Sequence, residues 1–531
     1  MPETRTWQVR WQSAQQSARA AGRSARAASD AALHAWRSAP GTTRQTWRLT
    51  AVSAATGLTV AVVAVATTGP WDSGQRTAER ARAAAEAGTG GEHHGSPGSP
   101  GSPGSPGNAG PAPSAPPVLP ALGGPGHGAS GRGAAPVPTG PGLADALAPL
   151  LKDPALGPLR TASVVDVAAG REVFGAKQNE ATTPASTVKL ATAVAALSVL
   201  GADHRIDTEV VRDGEDRVVL VGGGDPTLTA RATEPGAGER PASLRVLADK
   251  AARALKKSRT TKITLGYDAS AYSGPSQHPI GANENIAPVT ALMADEARLD
   301  DSEHGTAPRD ADPAGAAARA FAGLLRERGI DVDGEPDGAK APKKADRIAR
   351  VRSLPLSALV ERMLTYSDND IAEGLARQTA LATKKPASFA GAGEAVHKAL
   401  AAQRLPLDGA VFDDGSGLDR DDRVSAALLS QLLLRASAPE HPSLRPVVTG
   451  LPVAAFTGTL RGRYADETAG AGAVRAKTGT LTGVNTLAGS VVDADGRLLV
   501  FAFMTSGTTD AQGAQRALDR LASAVANCGC R

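Results

Sequence analysis

The chain has 531 residues and a formal net charge of +4. That length exceeds an ordinary single domain. The charge excludes a nucleic-acid-binding surface, because the basic excess is confined to one end: residues 1–48 carry eight arginines against Glu3 and Asp30, a net of +6 that leaves the rest of the chain at −2, whereas a nucleic-acid surface spreads basic residues over a folded domain.

The Arg-rich tail 1–48 is followed by an uncharged run over 49–69, and about twenty apolar residues suffice to cross a bilayer. Arginines before the run and Asp72 after it put the tail in the cytoplasm and everything beyond residue 70 outside. The run reads as a transmembrane anchor. A cleaved leader is the alternative, since Ala64-Val65-Ala66 resembles a cleavage site, although a 48-residue leader is long. Residues 70–141 read as a disordered linker, with Gly-Ser-Pro repeated four times between Gly95 and Gly107 and a reach of roughly 50 Å as a flexible coil. His93-His94 within it reads as a solvated pair.

From residue 142 the composition supports a core, an aliphatic one given 3% aromatic residues. Leu143, Leu147, Leu150 and Leu151 keep helical spacing, and residues 161–167 and 172–174 predict a hairpin. The next helix, over 184–200, is apolar on nearly every face and therefore buried, with Gly201 as its stop. Ser186 falls in its first turn, where backbone N–H groups are free, and Lys189 follows on the same face. Strands are expected at 217–221 and 262–265, and a helix at 316–328. Gly222-Gly223-Gly224-Asp225-Pro226 lacks the Lys-Ser/Thr of a phosphate loop, which excludes nucleotide binding there. Helices at 356–366 and 371–381 flank Ser367-Asp368-Asn369. Asp413 to Leu418 reads as a turn. Strands at 473–478, 486–492 and 498–504 precede a closing helix over 509–526.

These elements predict an α+β fold, an antiparallel sheet flanked by helices. Residues 142–204 and 346–531 would form the catalytic domain, and 205–345 an inserted region. Cys528 and Cys530 read as accessory thiols on a frayed terminus, because a Cys-Gly-Cys bridge closes a tight loop, although an exported location would permit a bridge. No metal or other cofactor is expected.

Three motifs occur once each and in order: Ser186-x-x-Lys189, Ser367-Asp368-Asn369 and Lys477-Thr478-Gly479. Together they supply the parts of amide or lactam opening through a covalent serine ester. Ser186 is the candidate nucleophile. Lys189 is the candidate base, which requires a neutral amine, favoured by burial and by a nearby cation such as Lys477. Ser367 could pass a proton to the leaving amine, and Asn369 could hold the substrate amide. Lys477 and Thr478 could bind a terminal carboxylate, with Gly479 leaving room for the substrate. The backbone N–H groups of Ser186 and Thr480 would form an oxyanion hole.

This trio resembles that of the serine penicillin-recognising enzymes. The wider pattern is similar to class C low-molecular-mass penicillin-binding proteins, the exported D-alanyl-D-alanine carboxypeptidase/endopeptidases. Supporting stretches are Gly222 to Leu228, Ile286 to Leu292, Asp414 to Leu418 and Val474 to Thr480. The resemblance covers about residues 142–527. It implies a transpeptidase-like or β-lactamase-like core interrupted by an insert between Ser186 and Ser367. It also implies peptidoglycan peptides ending in D-Ala-D-Ala as substrates, β-lactam antibiotics as acylating inhibitors, and a place in the bacterial cell envelope. A β-lactamase and a non-catalytic wall-binding scaffold are the alternatives.

Overall fold

The computed structural model describes residues 136–232, 240–465, 467 and 469–530. The tail, the run 49–69 and the linker up to residue 135 lie outside the described residues. Among the described residues, no helix is long and apolar enough to cross a membrane.

Ordered backbone begins before residue 142. The Thr139 hydroxyl accepts from Gly142 N at 3.1 Å and caps α1 (Gly140–Leu147). β1 (Leu159–Asp166) and β2 (Arg171–Ala176) form the expected hairpin. A single 3₁₀ turn (Ala185–Val188) leads into α2 (Lys189–Leu200). β3 (Asp207–Arg212), β4 (Arg217–Val221), α3 (Leu244–Lys257), β5 (Lys262–Asp268), α4 (Pro313–Glu327), β6 (Asp331–Gly338) and β7 (Arg347–Arg352) follow. The chain continues through α5 (Leu356–Tyr366), α6 (Asn369–Ala382), α7 (Phe389–Ala402), α8 (Ala426–Ser437) and the short α9 (Pro446–Thr449). It closes with β8 (Arg475–Leu481), β9 (Val484–Val492), β10 (Leu498–Ser506) and α10 (Ala511–Ala526).

The first sheet has the order β2-β1-β10-β9-β8 and is antiparallel throughout. Alternation along a strand sends successive side chains to opposite faces, and β10 uses both. Val500, Ala502 and Met504 join the core built by α2, α5, α6, α7 and α8. Leu499, Phe501 and Phe503 join the core of α1 and α10 on the other face. The fold is therefore a helix–sheet–helix α+β layer structure, with β8 at one sheet edge.

The second sheet, β6-β5-β4-β3-β7, is mixed: β4, β5 and β6 run parallel, while β3 is antiparallel to β4 and β7. Helices α3 and α4 cover it with Leu247, Ala251, Leu255, Phe321 and Leu325. Its last strand reaches Arg352, beyond residue 345, because β7 must return beside β3 to lead into α5. The triple glycine at the end of β4 has a packing cause: a Cβ at Gly222 would lie 2.4 Å from the carbonyl oxygen of Ala291, and one at Gly223 2.1 Å from that of Asp207.

The C-terminus corrects the expectation of frayed thiols. Cys528 is buried, Cys528 and Cys530 are paired as a disulfide, and the Cys530 carbonyl accepts from Thr139 N at 2.8 Å. The chain end thus packs against the start of α1.

Candidate active site

The Ser186 motif departs from a regular helix. Ala185 has φ 48°, a conformation that costs an L-residue of order 1–3 kcal/mol and persists only where its surroundings impose it. They do so here. Thr486 Oγ1 donates to Pro184 O at 2.8 Å, and Gly417 lies so close that a Cβ there would fall 2.0 Å from Ala185 O. Ser186 therefore projects from the 3₁₀ turn, while Lys189 begins α2.

Ser367 also has a left-handed backbone, φ 58° and ψ 39°. It ends α5, and Asp368 starts α6 by accepting from Ile371 N at 3.0 Å. The sharp break turns Ser367 and Asn369 toward the same cleft. Lys477, Thr478 and Gly479 lie on edge strand β8, against the Ala185–Val188 turn.

The direction a Cβ would take from Gly479 faces protein rather than open space. A Cβ there would lie 2.1 Å from Thr486 Oγ1 and 2.7 Å from Pro184 O, so glycine is needed for strand-to-turn packing. Gly479→Ala is expected to destabilise the fold by about 1–3 kcal/mol through overpacking and to slow acylation by pushing β8 from Ser186. Thermal melts and acylation rates measured together check this.

The motifs converge. Lys189 Nζ lies 2.9 Å from Ser186 Oγ, 2.7 Å from Asn369 Oδ1 and 2.5 Å from Ser416 O. Lys477 Nζ lies 2.8 Å from Ser367 Oγ and 2.7 Å from Thr478 O. Both lysines are fully buried. Ser186, Ser367, Asn369 and Thr480 line a cleft of about 210 Å³ with Tyr366, Leu418, Arg298 and Arg309. Thr478 is half-buried beside it, its hydroxyl 2.9 Å from that of Thr459.

Burial lowers Lys189 to about 8, against the opposing pull of Asp414, Glu373, Asp368 and Asp422. The repulsion expected from the second lysine falls on Lys477 itself, which burial and then Lys189 push well below the usual lysine range. Glu373 is raised to about 7 by burial and by Asp414.

The arrangement of acceptors defines the amine. A neutral amine has two N–H groups and one lone pair. Asn369 Oδ1 and the Ser416 carbonyl can only accept, so they take the two N–H groups, which leaves the lone pair for the Ser186 hydroxyl. The Asn369 amide is oriented by its Nδ2 donating to Asn285 O at 2.9 Å. Neither carbonyl, Ser416 nor Asn285, was legible as a site group. The turn around Ser416 was visible in the sequence, but nothing there says that its carbonyl meets Lys189.

A base must be neutral, so acylation is expected to rise with pH through about 8 and level above it. Glu373→Gln keeps an acceptor for Gly415 N, now 3.0 Å from Glu373 Oε1, but removes a charge that holds the Lys189 proton. The acid limb of the pH–rate profile should then move to lower pH, and penicillin acylation rates across pH 5–10 check the direction.

A serine hydroxyl 2.9 Å from a fully buried lysine amine, beside a strained turn and on an antiparallel sheet flanked by helices, has the parts of a serine acyl-transfer hydrolase. The D-Ala-D-Ala carboxypeptidase 3 (S13) family model matches residues 143–304 and 300–526. A carboxypeptidase of Mycobacterium tuberculosis is 36% identical over 407 residues, covering 75% of this chain and 86% of that protein. A D-alanyl-D-alanine carboxypeptidase of Actinomadura is 30% identical over 439 residues, covering 67% of this chain and 80% of that protein. Penicillin binding protein 4 from Haemophilus influenzae shares the fold, with TM-score 0.58 at 23% identity over 72% of this chain and 97% of that one. The chain belongs to the D-Ala-D-Ala carboxypeptidase 3 (S13) family. It is a serine-type D-alanyl-D-alanine carboxypeptidase.

Proposed function

We propose that the reaction runs through an acyl-enzyme on Ser186, with Lys189 as its base. The observation that carries this is the lysine's surroundings: Nζ lies 2.7 Å and 2.5 Å from two groups that can only accept, Asn369 Oδ1 and Ser416 O, and 2.9 Å from Ser186 Oγ, so in the neutral amine the lone pair is left for the serine hydroxyl. Ser186 attacks the carbonyl carbon of the penultimate D-Ala and its proton passes to Lys189. The backbone N–H groups of Ser186 and Thr480 hold the developing oxyanion, where each donor contributes about 3–4 kcal/mol.

Ser367 accepts from Lys477, so its own O–H is directed to protonate the leaving nitrogen. Lys477 replaces the proton it gives up, and exchange with solvent then removes the proton held by Lys189 and recharges Lys477. Breaking the C–N bond releases terminal D-Ala and leaves the ester, which water then hydrolyses. Asn369 borders the substrate amide. The terminal carboxylate meets the hydroxyls of Thr478 and Thr480 on the accessible side of β8, and its negative charge favours the ammonium form of buried Lys477 behind them, against the burial that lowers that lysine. A β-lactam carries the same carbonyl and carboxylate, and would acylate Ser186 by the same step.

The biological substrate is then peptidoglycan stem peptides, either uncross-linked or cross-linked. The enzyme would act in the bacterial cell envelope, tethered through residues 49–69 or released after cleavage there. The deciding experiment offers purified protein a pentapeptide ending in D-Ala-D-Ala, a cross-linked dimer and a penicillin. Release of D-Ala with slow clearance of the penicillin adduct supports the proposal. Rapid penicillin turnover without D-Ala release would instead identify a β-lactamase, and no reaction with any of them a scaffold.

A further inference from the structure

The loop between β5 and α4, residues 269–312, leaves the second sheet and enters the catalytic core. It supplies the Asn285 carbonyl that orients Asn369, and it donates from Ala287 N to Asp370 Oδ1 at 2.9 Å. It also carries His278, whose ring lies edge-on to Phe389, 5.1 Å between centroids. His278 Nε2 lies 3.0 Å from Asp414 Oδ2, with both side chains wholly buried. Ile280 N donates to His278 Nδ1 at 3.3 Å. That bond leaves the ring proton on Nε2, so His278 donates to Asp414.

Asp414 is the hub of the turn behind Lys189. Its Oδ1 accepts from Ser416 N at 2.9 Å and Gly417 N at 2.5 Å. Its Oδ2 accepts from Ser416 Oγ at 3.1 Å and Asp419 N at 2.7 Å, in addition to His278. Burial works against the anion, but the bonds from His278 and Gly417 N hold its carboxyl down at about 2. The turn is pinned further where the Gly415 carbonyl accepts from Thr192 Oγ1 at 2.7 Å. His278, Glu373 and Asp414 lie close enough to share an ion, but five donors fill the roughly four acceptor positions of Asp414, so this cluster is not a metal site.

We propose that His278 is a positioning residue for the catalytic base. Through Asp414 it fixes the Ser416 carbonyl, one of the two acceptors that aim the Lys189 lone pair at Ser186. The loop thereby sets both acceptors, one through Asn285 and the other through His278. The region carrying the second sheet is thus part of the catalytic machinery. This proposal rests on the assignment of Ser186 and Lys189.

The test uses the full chain with three readouts: penicillin acylation rate, kcat and KM for D-Ala release, and the thermal transition. His278→Leu keeps the volume and removes the donor; kcat and acylation should fall by about tenfold or more, as expected for a base misplaced by a fraction of an ångström, with KM unchanged. His278→Gln restores an N–H to Asp414 and should recover most of the rate. A wild-type rate in the leucine variant, or equal losses in both variants, overturns the proposal. If the leucine variant does not fold, His278→Asn replaces it: its shorter side chain cannot reach Asp414, so it should lose kcat where glutamine keeps it, and equal rates in the two overturn the proposal. Wild-type protein that is not labelled by penicillin, or labelling that survives Ser186→Ala, would instead sink the underlying assignment.

Discussion

Ser186→Ala is expected to abolish covalent labelling by penicillin and to lower D-Ala release by at least about 10⁴-fold, the scale seen when a nucleophile that works as a unit with its base is removed. The fold should tolerate the change. The Ser186 hydroxyl meets Lys189 Nζ at 2.9 Å and approaches Ser416 O only at 3.5 Å, so its loss removes little structural bonding. Clamps on either side of the turn also remain: Thr486 to Pro184 O, and Gly417 against Ala185 O. A melting temperature close to wild type with no labelling separates chemistry from unfolding. Because the pair acts together, adding Lys189→Met to Ser186→Ala should cost almost nothing further.

Lys189→Met alone is the second large effect. Methionine approximates the volume of the lysine stem and carries no proton acceptor comparable to an amine. General-base catalysis contributes about 10²–10⁴-fold, and acylation should fall toward the upper end of that range, because no other amine lies within hydrogen-bond distance of Ser186 Oγ among the described residues. Stability is set by two opposing effects. Removing a wholly buried amine relieves its desolvation, whereas the Asn369 Oδ1 and Ser416 carbonyl acceptors lose their donor, at about 1–3 kcal/mol each. The net shift should be small beside the loss of rate. Stopped-flow acylation and a thermal melt on the same preparation check both. A variant that acylates at the wild-type rate would mean that Lys189 is not the base.

The site was legible in the sequence where its parts are local. Ser186 and Lys189 are three residues apart, and Ser367 and Asn369 lie on either side of one backbone break. The sheet was legible for the same reason: the two faces of β10 are written into alternating Val500, Phe501, Ala502 and Phe503. What stayed hidden depends on contacts between remote segments. The left-handed turn at Ala185 is imposed by Thr486 and Gly417, hundreds of residues away. The packing need for Gly479 was hidden because the sequence does not reveal that the Thr486 hydroxyl fills the space a Cβ would take. The second sheet extends to Arg352 because β7 pairs with β3, a registry that no local pattern announces. The Cys528–Cys530 pair looked frayed because its burial depends on a segment remote in sequence, around Thr139.

The central claim, that Ser186 carries the acyl group, is tested most directly by trapping. The purified chain is treated with a penicillin, digested, and its peptides weighed by mass spectrometry. The account predicts one adduct with the mass of the intact penicillin, on the peptide containing Ser186. An adduct on any other side chain, or no adduct while D-Ala release continues, would contradict it.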